Sequence, residues 1–178
     1  MIRALIQLII TPQKAWNELS RDIVRQQYLM WLLVYPLLIF TALSAYIHHW
    51  YGYTTVAEAS KEALLTLLQY GACIMTTWIL LTKLGPKYFA ASYSNSEAHL
   101  YSGYVYTLTM LATLIGNILP SDFAFVQFLP MYSIWIVYQA RQYMKIPQEN
   151  IFSYTVITSV VILGLPFVWQ KIFDLILH

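Results

Sequence analysis

Five long apolar runs divide the chain, and short polar stretches separate them. Runs such as "YLMWLLVYPLLIF" are apolar on every side of a helix, whereas helices of a water-soluble bundle would show a polar face. About 20 residues at 1.5 Å rise per residue cross a ~30 Å hydrocarbon core. The pattern therefore predicts an all-α integral membrane protein in which residues 1–178 form one domain. The predicted spans cover residues 28–47, 63–82, 101–119, 123–144 and 151–173.

Two helix starts carry a capping-box signature. Thr55 with Glu58, and Ser94 with Glu97, place a hydroxyl three residues before a glutamate. In this arrangement each side chain bonds to the backbone N–H of the other residue, which satisfies two donors at a helix start. We therefore expect the second and third membrane helices to begin at these positions.

Proline, glycine and aspartate mark the other predicted boundaries. Gly85 and Pro86 predict that the second helix stops near Leu84, because Gly permits a left-handed cap and Pro cannot continue the hydrogen-bond ladder. Asp122 is predicted to cap the fourth span, and Pro147 to lie near the first turn of the fifth. Pro36 and Pro166 fall inside spans, where such residues kink a helix and either serve packing or line a cavity.

Residues 1–27 are predicted to form a cytoplasmic segment that lies along the membrane surface. The opening "MIRALIQLII" places apolar residues on one helical face, and we interpret it as a retained interfacial helix rather than a signal peptide. Thr11 is predicted to cap a second short helix with Pro12 at its first position. We expect Trp16 to lie at the depth of the lipid headgroups, with Lys14 and Arg21 reaching anionic lipid.

The distribution of lysine and arginine predicts the orientation. Ten such residues are present, and eight of them fall on the side that holds the N-terminus. Because cytoplasmic loops carry the excess of positive charge, we expect a cytoplasmic N-terminus and an external C-terminus. The eight are Arg3, Lys14, Arg21, Arg25, Lys83, Lys87, Arg141 and Lys145; Lys61 and Lys171 are the other two.

Composition excludes several kinds of function. The net charge is only +2 with no basic run, which argues against nucleic-acid binding. Cys73 is the single cysteine, so the chain can form neither an internal disulfide nor a cysteine zinc site. His48 and His49 are sequence neighbours and point apart on a helix, so they make a poor metal site. No catalytic motif and no mid-span acidic pair occurs, and we predict neither enzymatic activity nor a cofactor.

Two groups of polar residues remain as candidates. Glu97, Tyr101 and Tyr104 fall on one face of the third helix, where Glu97 either only caps its helix or belongs to a polar cluster. Gln69 and Asn117 lie inside spans and are expected to bond between helices or to contact a substrate. Arg141 and Lys145 end the fourth span, where cations suit the helix dipole and lipid phosphates. The candidate contacts with lipid or a partner are Pro12, Lys14, Trp16, Arg21, Arg141 and Lys145.

The segment "TPQKAWNEL" resembles the Pro-x-x-x-Trp-x-x-Ile/Leu motif that precedes the spans of bacterial YIP-family (Ypt/Rab-GTPase-interacting) proteins. The similarity continues through "AHLYSGYVYTLTMLATLIGNILP" and "FLPMYSIWIVYQARQYMKIPQENIFSYTVI" and covers nearly the whole chain. It implies a five-span protein of the bacterial cytoplasmic (inner) membrane with a cytoplasmic N-terminus. Eukaryotic relatives have a long N-terminal region with an Asp-Leu-Tyr-Gly-Pro motif linked to Rab GTPase binding, which this chain lacks.

Two functions are compatible with these features. The first is a non-enzymatic membrane scaffold or adaptor that contacts lipids or a protein partner through its cytoplasmic face. The alternative is a small permease or channel that uses the kinked helices together with Gln69 and Asn117. Oligomerisation of the chain with itself is left open, as are the identity of any ligand and the physiological process.

Overall fold

A computed structural model describes residues 7, 9–21, 28, 30–52, 55–119 and 124–177 of the chain. Throughout these residues the regular structure is helical, as the sequence predicts. The elements with described bounds include the α-helices α1 (Pro12–Arg21), α2 (Tyr35–Tyr51), α3 (Val56–Phe89), α4 (Asn95–Ile118), α5 (Ser133–Gln139) and α6 (Ile151–Leu177). A π-helix (Met30–Val34) precedes α2, and 3-10 helices precede α5 (Ala124–Tyr132) and α6 (Gln148–Asn150).

Helix α4 is the centre of the fold. Every residue from Leu100 to Met110 is buried, and α2, α3 and α5 pack against it. The helix is rich in Tyr, Ser and Thr, but three of its hydroxyls donate to carbonyl oxygens of the same helix: Ser102 to His99, Thr107 to Tyr104 and Thr109 to Tyr106. Because protein rather than lipid surrounds α4, it does not need an apolar surface all round.

Among the described residues, three helices have the length and the apolar composition needed to cross a membrane. They are Met30–Tyr51, Val56–Phe89 and Gln148–Ile176. The first begins two residues after the predicted start of the first span, and the other two contain the second and fifth predicted spans. Helix α4 covers the third predicted span, but its tyrosines and threonines lower its mean hydropathy. The structure thus supports an integral membrane protein with an all-helical fold.

At the start of the first membrane helix, side chains pack directly against a glycine of α4. Gly103 of α4 faces the π-helix, and a Cβ atom built at this glycine would lie 2.7 Å from the Met30 sulfur and 3.2 Å from Val34 Cγ1. Pro36 follows directly in the first turn of α2 and cannot donate a backbone hydrogen bond. The π-helix before it is the kind of local adjustment that accommodates a proline in a membrane helix.

Helix α3 begins as predicted and ends later than predicted. The capping box is complete: the Glu58 N–H donates to Thr55 Oγ1, and the Thr55 N–H donates to Glu58 Oε2. The predicted stop at Gly85 and Pro86 is wrong, because the helix continues to Phe89 and closes on Ala90 in the left-handed conformation. Proline removes one hydrogen bond from the last turn, and tertiary packing of that turn outweighs the loss.

The fourth predicted span, residues 123–144, is not one continuous α-helix. It consists of the 3-10 helix Ala124–Tyr132 followed by α5, which ends at Gln139, and residues 140–145 form turns. Pro130 lies inside the 3-10 helix. A proline there leaves one carbonyl without its usual donor and crowds the preceding turn, which explains why α-helical geometry begins only at Ser133. Asp122, the predicted cap, lies outside the described residues.

Candidate functional site

The short helix α1 packs one face against the rest of the protein. Pro12, Ala15 and Trp16 are buried, whereas Lys14 and Glu18 are exposed. The helix starts at Pro12, as predicted. Thr11 contributes differently from a side-chain cap, because its hydroxyl donates backwards to the Gln7 carbonyl oxygen at 3.3 Å. The segment is therefore amphipathic, but its apolar face contacts protein.

Trp16 occupies an aromatic pocket and is only 1% exposed. Its ring stacks on Tyr101 with a centroid distance of 5.5 Å and contacts Tyr104 and Tyr143 at 5.4 and 5.1 Å. The indole N–H donates to the Ile136 carbonyl oxygen of α5 at 3.2 Å. The prediction that Trp16 lies among lipid headgroups is wrong. An indole that meets three rings and a carbonyl acceptor inside the protein gains more contacts than one at the interface.

A second contact fixes the segment just before α1. The Tyr132 hydroxyl donates to the Ile9 carbonyl oxygen at 2.7 Å. Together with the Trp16 bond to Ile136, this ties both ends of residues 9–16 to the 3-10 helix and α5. The opening residues 1–6, predicted to form the first interfacial helix, lie outside the described residues.

The predicted face formed by Glu97, Tyr101 and Tyr104 is present. The two tyrosines both line the Trp16 pocket, and the Tyr101 hydroxyl accepts a hydrogen bond from Tyr154 of α6 at 2.9 Å. Glu97 completes the predicted capping box with Ser94. The face thus joins α1, α4 and α6, and Glu97 belongs to it as well as capping its helix.

Glu97 also connects the predicted polar face of α4 with Lys145, one of the predicted cationic contact residues. Its carboxylate accepts from Lys145 Nζ, with distances of 3.1 and 3.4 Å to its two oxygens. Burial works to raise the pKa of Glu97, but the Ser94 backbone N–H and Lys145 outweigh it and hold that pKa below its ordinary value. The negative form is therefore favoured, and the contact weakens only as the pH falls through the lowered pKa.

The remaining predicted surface residues belong to α1 and to the turn after α5. The Arg141 guanidinium carbon lies 4.0 Å above the centre of the Tyr138 ring, a cation–π contact on the turn after α5. Lys14 is exposed on the outer face of α1. Arg21 is the last residue of α1, and its side chain lies outside the description. We call the region formed by α1, Glu97 and residues 140–147 the Trp16 end.

Gln69 and Asn117 lie at the opposite end of the bundle and both bond between helices. Gln69 donates to the Pro166 carbonyl oxygen at 2.9 Å, which joins α3 to α6. Asn117 donates to Ser44 Oγ at 3.0 Å, and its backbone carbonyl lies 3.0 Å from His48 Nδ1, which joins α4 to α2. Both amides also line a polar cavity of about 230 Å³. We call this region the Asn117 end.

Sequence reasoning missed several residues at both ends. Tyr143 and the Ile136 carbonyl complete the Trp16 pocket, but no sequence pattern relates them to residue 16. The residues that line the cavity could have been predicted from the spacing of polar residues in the sequence. Glu62, Thr66 and Gln69 follow i, i+4, i+7 spacing, Thr113 precedes Asn117 by four residues, and Gln170 precedes Asp174 by four. Three polar stripes on apolar helices indicate a shared polar interior.

The chain matches no protein-family model, no curated protein and no solved structure.

Proposed function

We propose that this protein is a five-span adaptor of the cytoplasmic membrane, similar to the bacterial YIP-family proteins that its sequence resembles. Its N-terminal helix and basic turns would face the cytoplasm and bind lipid headgroups or a protein partner. The observation that carries the proposal is the buried Trp16, because it fixes α1 with Lys14 turned away from the bundle.

The distribution of the positively charged segments supports the proposed orientation. Lys145 contacts Glu97, Asn150 donates to the Phe89 carbonyl oxygen at 3.2 Å, and Trp16 contacts Tyr143. These contacts gather α1, the end of α3 with the loop that follows it, and the turns before α6 at one end. The described parts of these segments hold Lys14, Arg21, Lys83, Lys87, Arg141 and Lys145, whereas Lys61 lies near the start of α3 and Lys171 near the end of α6. A cytoplasmic Trp16 end is therefore the orientation that charge favours.

The geometry of the fourth segment supports a count of five crossings. Helix α4 runs from the Trp16 end to the Asn117 end, and residues 140–145 are again at the Trp16 end. Nine residues in a 3-10 helix and seven in an α-helix make the return. The 3-10 helix extends ~18 Å at about 2.0 Å rise per residue, and α5 continues beside α1, to which it bonds through Ile136.

Site-specific photo-crosslinking tests the adaptor proposal. A photoreactive residue at Lys14 is expected to form crosslinks to a specific protein or to anionic lipid in native membranes, because α1 holds that position on the cytoplasmic surface. The same probe at Trp31, which is exposed on the side of the first membrane helix, serves as the matched control. Crosslinks at Lys14 that resemble those at Trp31, or that persist unchanged in Trp16→Ala, would contradict the proposal.

The polar cavity favours a small permease as a second candidate, since a cavity that reaches Asn117 is what this alternative requires. Transport also requires a path through the centre, where α4 is buried from Leu100 to Met110. Flux of a small solute across proteoliposomes separates the two candidates: an adaptor leaves the leak rate of the vesicles unchanged, whereas a permease raises it.

A further inference from the structure

A groove runs between α3 and α6 on the outer side of the bundle, with a volume of about 290 Å³. Phe89 belongs to its wall and packs against Tyr154 at a centroid distance of 5.6 Å. The Tyr154 hydroxyl donates to Tyr101, which stacks on Trp16. The groove therefore lies in the half of the bundle that is nearer the Trp16 end. The aliphatic residues of its wall are Leu80, Leu81, Leu84, Ile157 and Val161.

The wall of the groove offers an apolar surface to a ligand. Of its two threonines, Thr77 bonds to the Tyr106 hydroxyl at 2.9 Å, and Thr158 is only 3% exposed. The exposed parts of the wall come from residues such as Leu84 and Ile157, which are 42% and 50% exposed. An alkyl chain that fills such a groove gains dispersion contacts that an empty groove leaves unmade. The wall thus favours an alkyl chain over a polar molecule.

The groove extends from the depth of the lipid tails to the membrane surface. Helix α3 has 34 residues and is ~51 Å long at about 1.5 Å rise per residue, whereas the hydrocarbon core is ~30 Å thick. Thr77 lies within the second predicted span, and Tyr88 lies beyond the end of that span at residue 82. From Thr77 to Tyr88 the helix rises ~17 Å, which is about the depth of one leaflet.

Positive charge is concentrated at the mouth of the groove. Lys83 and Lys87 are exposed, and each follows a groove residue, Leu80 or Leu84, by three positions. Residues at this spacing are neighbours on a helix surface, so both lysines border the groove. Lys87 Nζ also lies 5.6 Å from the centre of the ring of Tyr88, which belongs to the wall. Because like charges four residues apart repel each other, an anionic group between the lysines is stabilising.

A phospholipid fits the groove better than a helix of another protein does. Its alkyl chain suits the apolar wall, and its phosphate lies at the membrane surface, where the two lysines are. Basic residues between membrane helices at this depth are typical of sites for anionic headgroups. A helix with its side chains is ~10 Å wide and fills more than ~1,000 Å³ over ~17 Å, so it cannot enter a groove of about 290 Å³.

We propose that the groove between α3 and α6 holds one acyl chain of an anionic phospholipid, whose phosphate is bound by Lys83 and Lys87. Tyr88 lies at the boundary between chain and headgroup, a depth that suits its apolar ring and polar hydroxyl. The site does not rest on the adaptor function, because none of these residues belongs to α1 or to the turns after α5.

Native mass spectrometry of the purified full-length protein in a non-ionic detergent tests this proposal. Phosphatidylglycerol and phosphatidylcholine with the same acyl chains are titrated separately. We expect one phosphatidylglycerol to bind saturably, and more tightly than phosphatidylcholine, because only phosphatidylglycerol carries a net negative charge. Lys83→Gln and Lys87→Gln should each weaken the binding of phosphatidylglycerol about fivefold, the usual contribution of one lysine near an anionic lipid.

Two matched controls separate the site from general effects of charge and size. Lys171→Gln should leave the affinity unchanged, since Lys171 is exposed near the other end of α6. Ile157→Trp should fill the groove and weaken the binding of both lipids. Val156→Trp should not, because Val156 is 45% exposed on the same helix but lies outside the groove. Both tryptophans replace side chains that are largely exposed, so the fold should tolerate them.

Three results would overturn the proposal: equal affinity for the two lipids, equal weakening by Lys171→Gln, or equal effects of Ile157→Trp and Val156→Trp. A photoreactive residue at Ile157 identifies the occupant of the groove in native membranes. It should form adducts with phospholipid. Adducts with a protein alone would show that another chain covers the groove, and would also overturn the proposal.

Discussion

Trp16→Ala is expected to lower the free energy of unfolding by about 3–5 kcal/mol, the usual cost of truncating a fully buried large aromatic residue. The substitution removes contacts with Tyr101, Tyr104 and Tyr143 and deletes the N–H that the Ile136 carbonyl accepts. The measurement is the thermal or denaturant midpoint of the purified protein in detergent. Limited proteolysis should show in addition that the segment around α1 becomes accessible.

Two further variants separate the indole contacts from a general effect of losing a tryptophan. Trp31→Ala removes a side chain that is 74% exposed and should change the midpoint little. Trp16→Phe keeps much of the ring packing and should fall between the wild type and Trp16→Ala. The loss of its N–H costs little, because the Ile136 carbonyl also accepts from the Ala140 N–H at 3.1 Å. Equal midpoints for Trp16→Ala and Trp31→Ala would contradict the docked position of α1.

Gly103→Leu is the second substitution with a large expected effect. The new side chain would collide with Met30 and Val34, where even a Cβ atom finds the Met30 sulfur at 2.7 Å. Overpacking of this kind costs about 1–3 kcal/mol, and more where backbones must separate. We expect a lower thermal midpoint in detergent and a poorer yield of folded protein from membranes.

Gly116→Leu is the control for Gly103→Leu, because it lies on the same helix and a Cβ atom added there would meet no other atom within 4 Å. It should be neutral, or stabilising by up to about 0.8 kcal/mol through helix propensity. Combining Gly103→Leu with Met30→Ala should restore part of the lost stability. The second substitution removes the end of the Met30 side chain, with which the new leucine would collide. Equal losses for both glycines, or no recovery, would contradict the close approach at Gly103.

The sequence predicted best those features that depend on residues close together in the chain. Both capping boxes are present because each needs only a hydroxyl and a glutamate three residues apart. The prediction for Trp16 was wrong because its partners lie far along the chain, from Tyr101 onwards, and no local pattern shows which surface a tryptophan faces. Trp16 lies on the buried side of α1 and Lys14 on the exposed side, and an apolar side of a helix can pack on protein as well as on lipid.

Tertiary packing also decided where α3 ends. The end of α3 is held by Asn150, which donates to the Phe89 carbonyl in the last turn, and by Tyr93, which donates to the Leu81 carbonyl about two turns earlier. These bonds come from residues beyond the helix and outweigh the breaking tendency of Gly85 and Pro86. The spacing of polar residues along the helices could have predicted the polar cavity, but only if these separate helices were assumed to meet at one place.

The proposed function requires that the Trp16 end faces the cytoplasm, and cysteine labelling in intact cells tests this orientation directly. Cys73 is 0% exposed, so an introduced cysteine reports with little background. A membrane-impermeant thiol reagent should label Tyr53→Cys, which lies between α2 and α3 in the sequence, and should label Lys145→Cys only after the cells are opened. Labelling of Lys145→Cys from outside, with Tyr53→Cys protected, would contradict both the orientation and the proposed cytoplasmic adaptor.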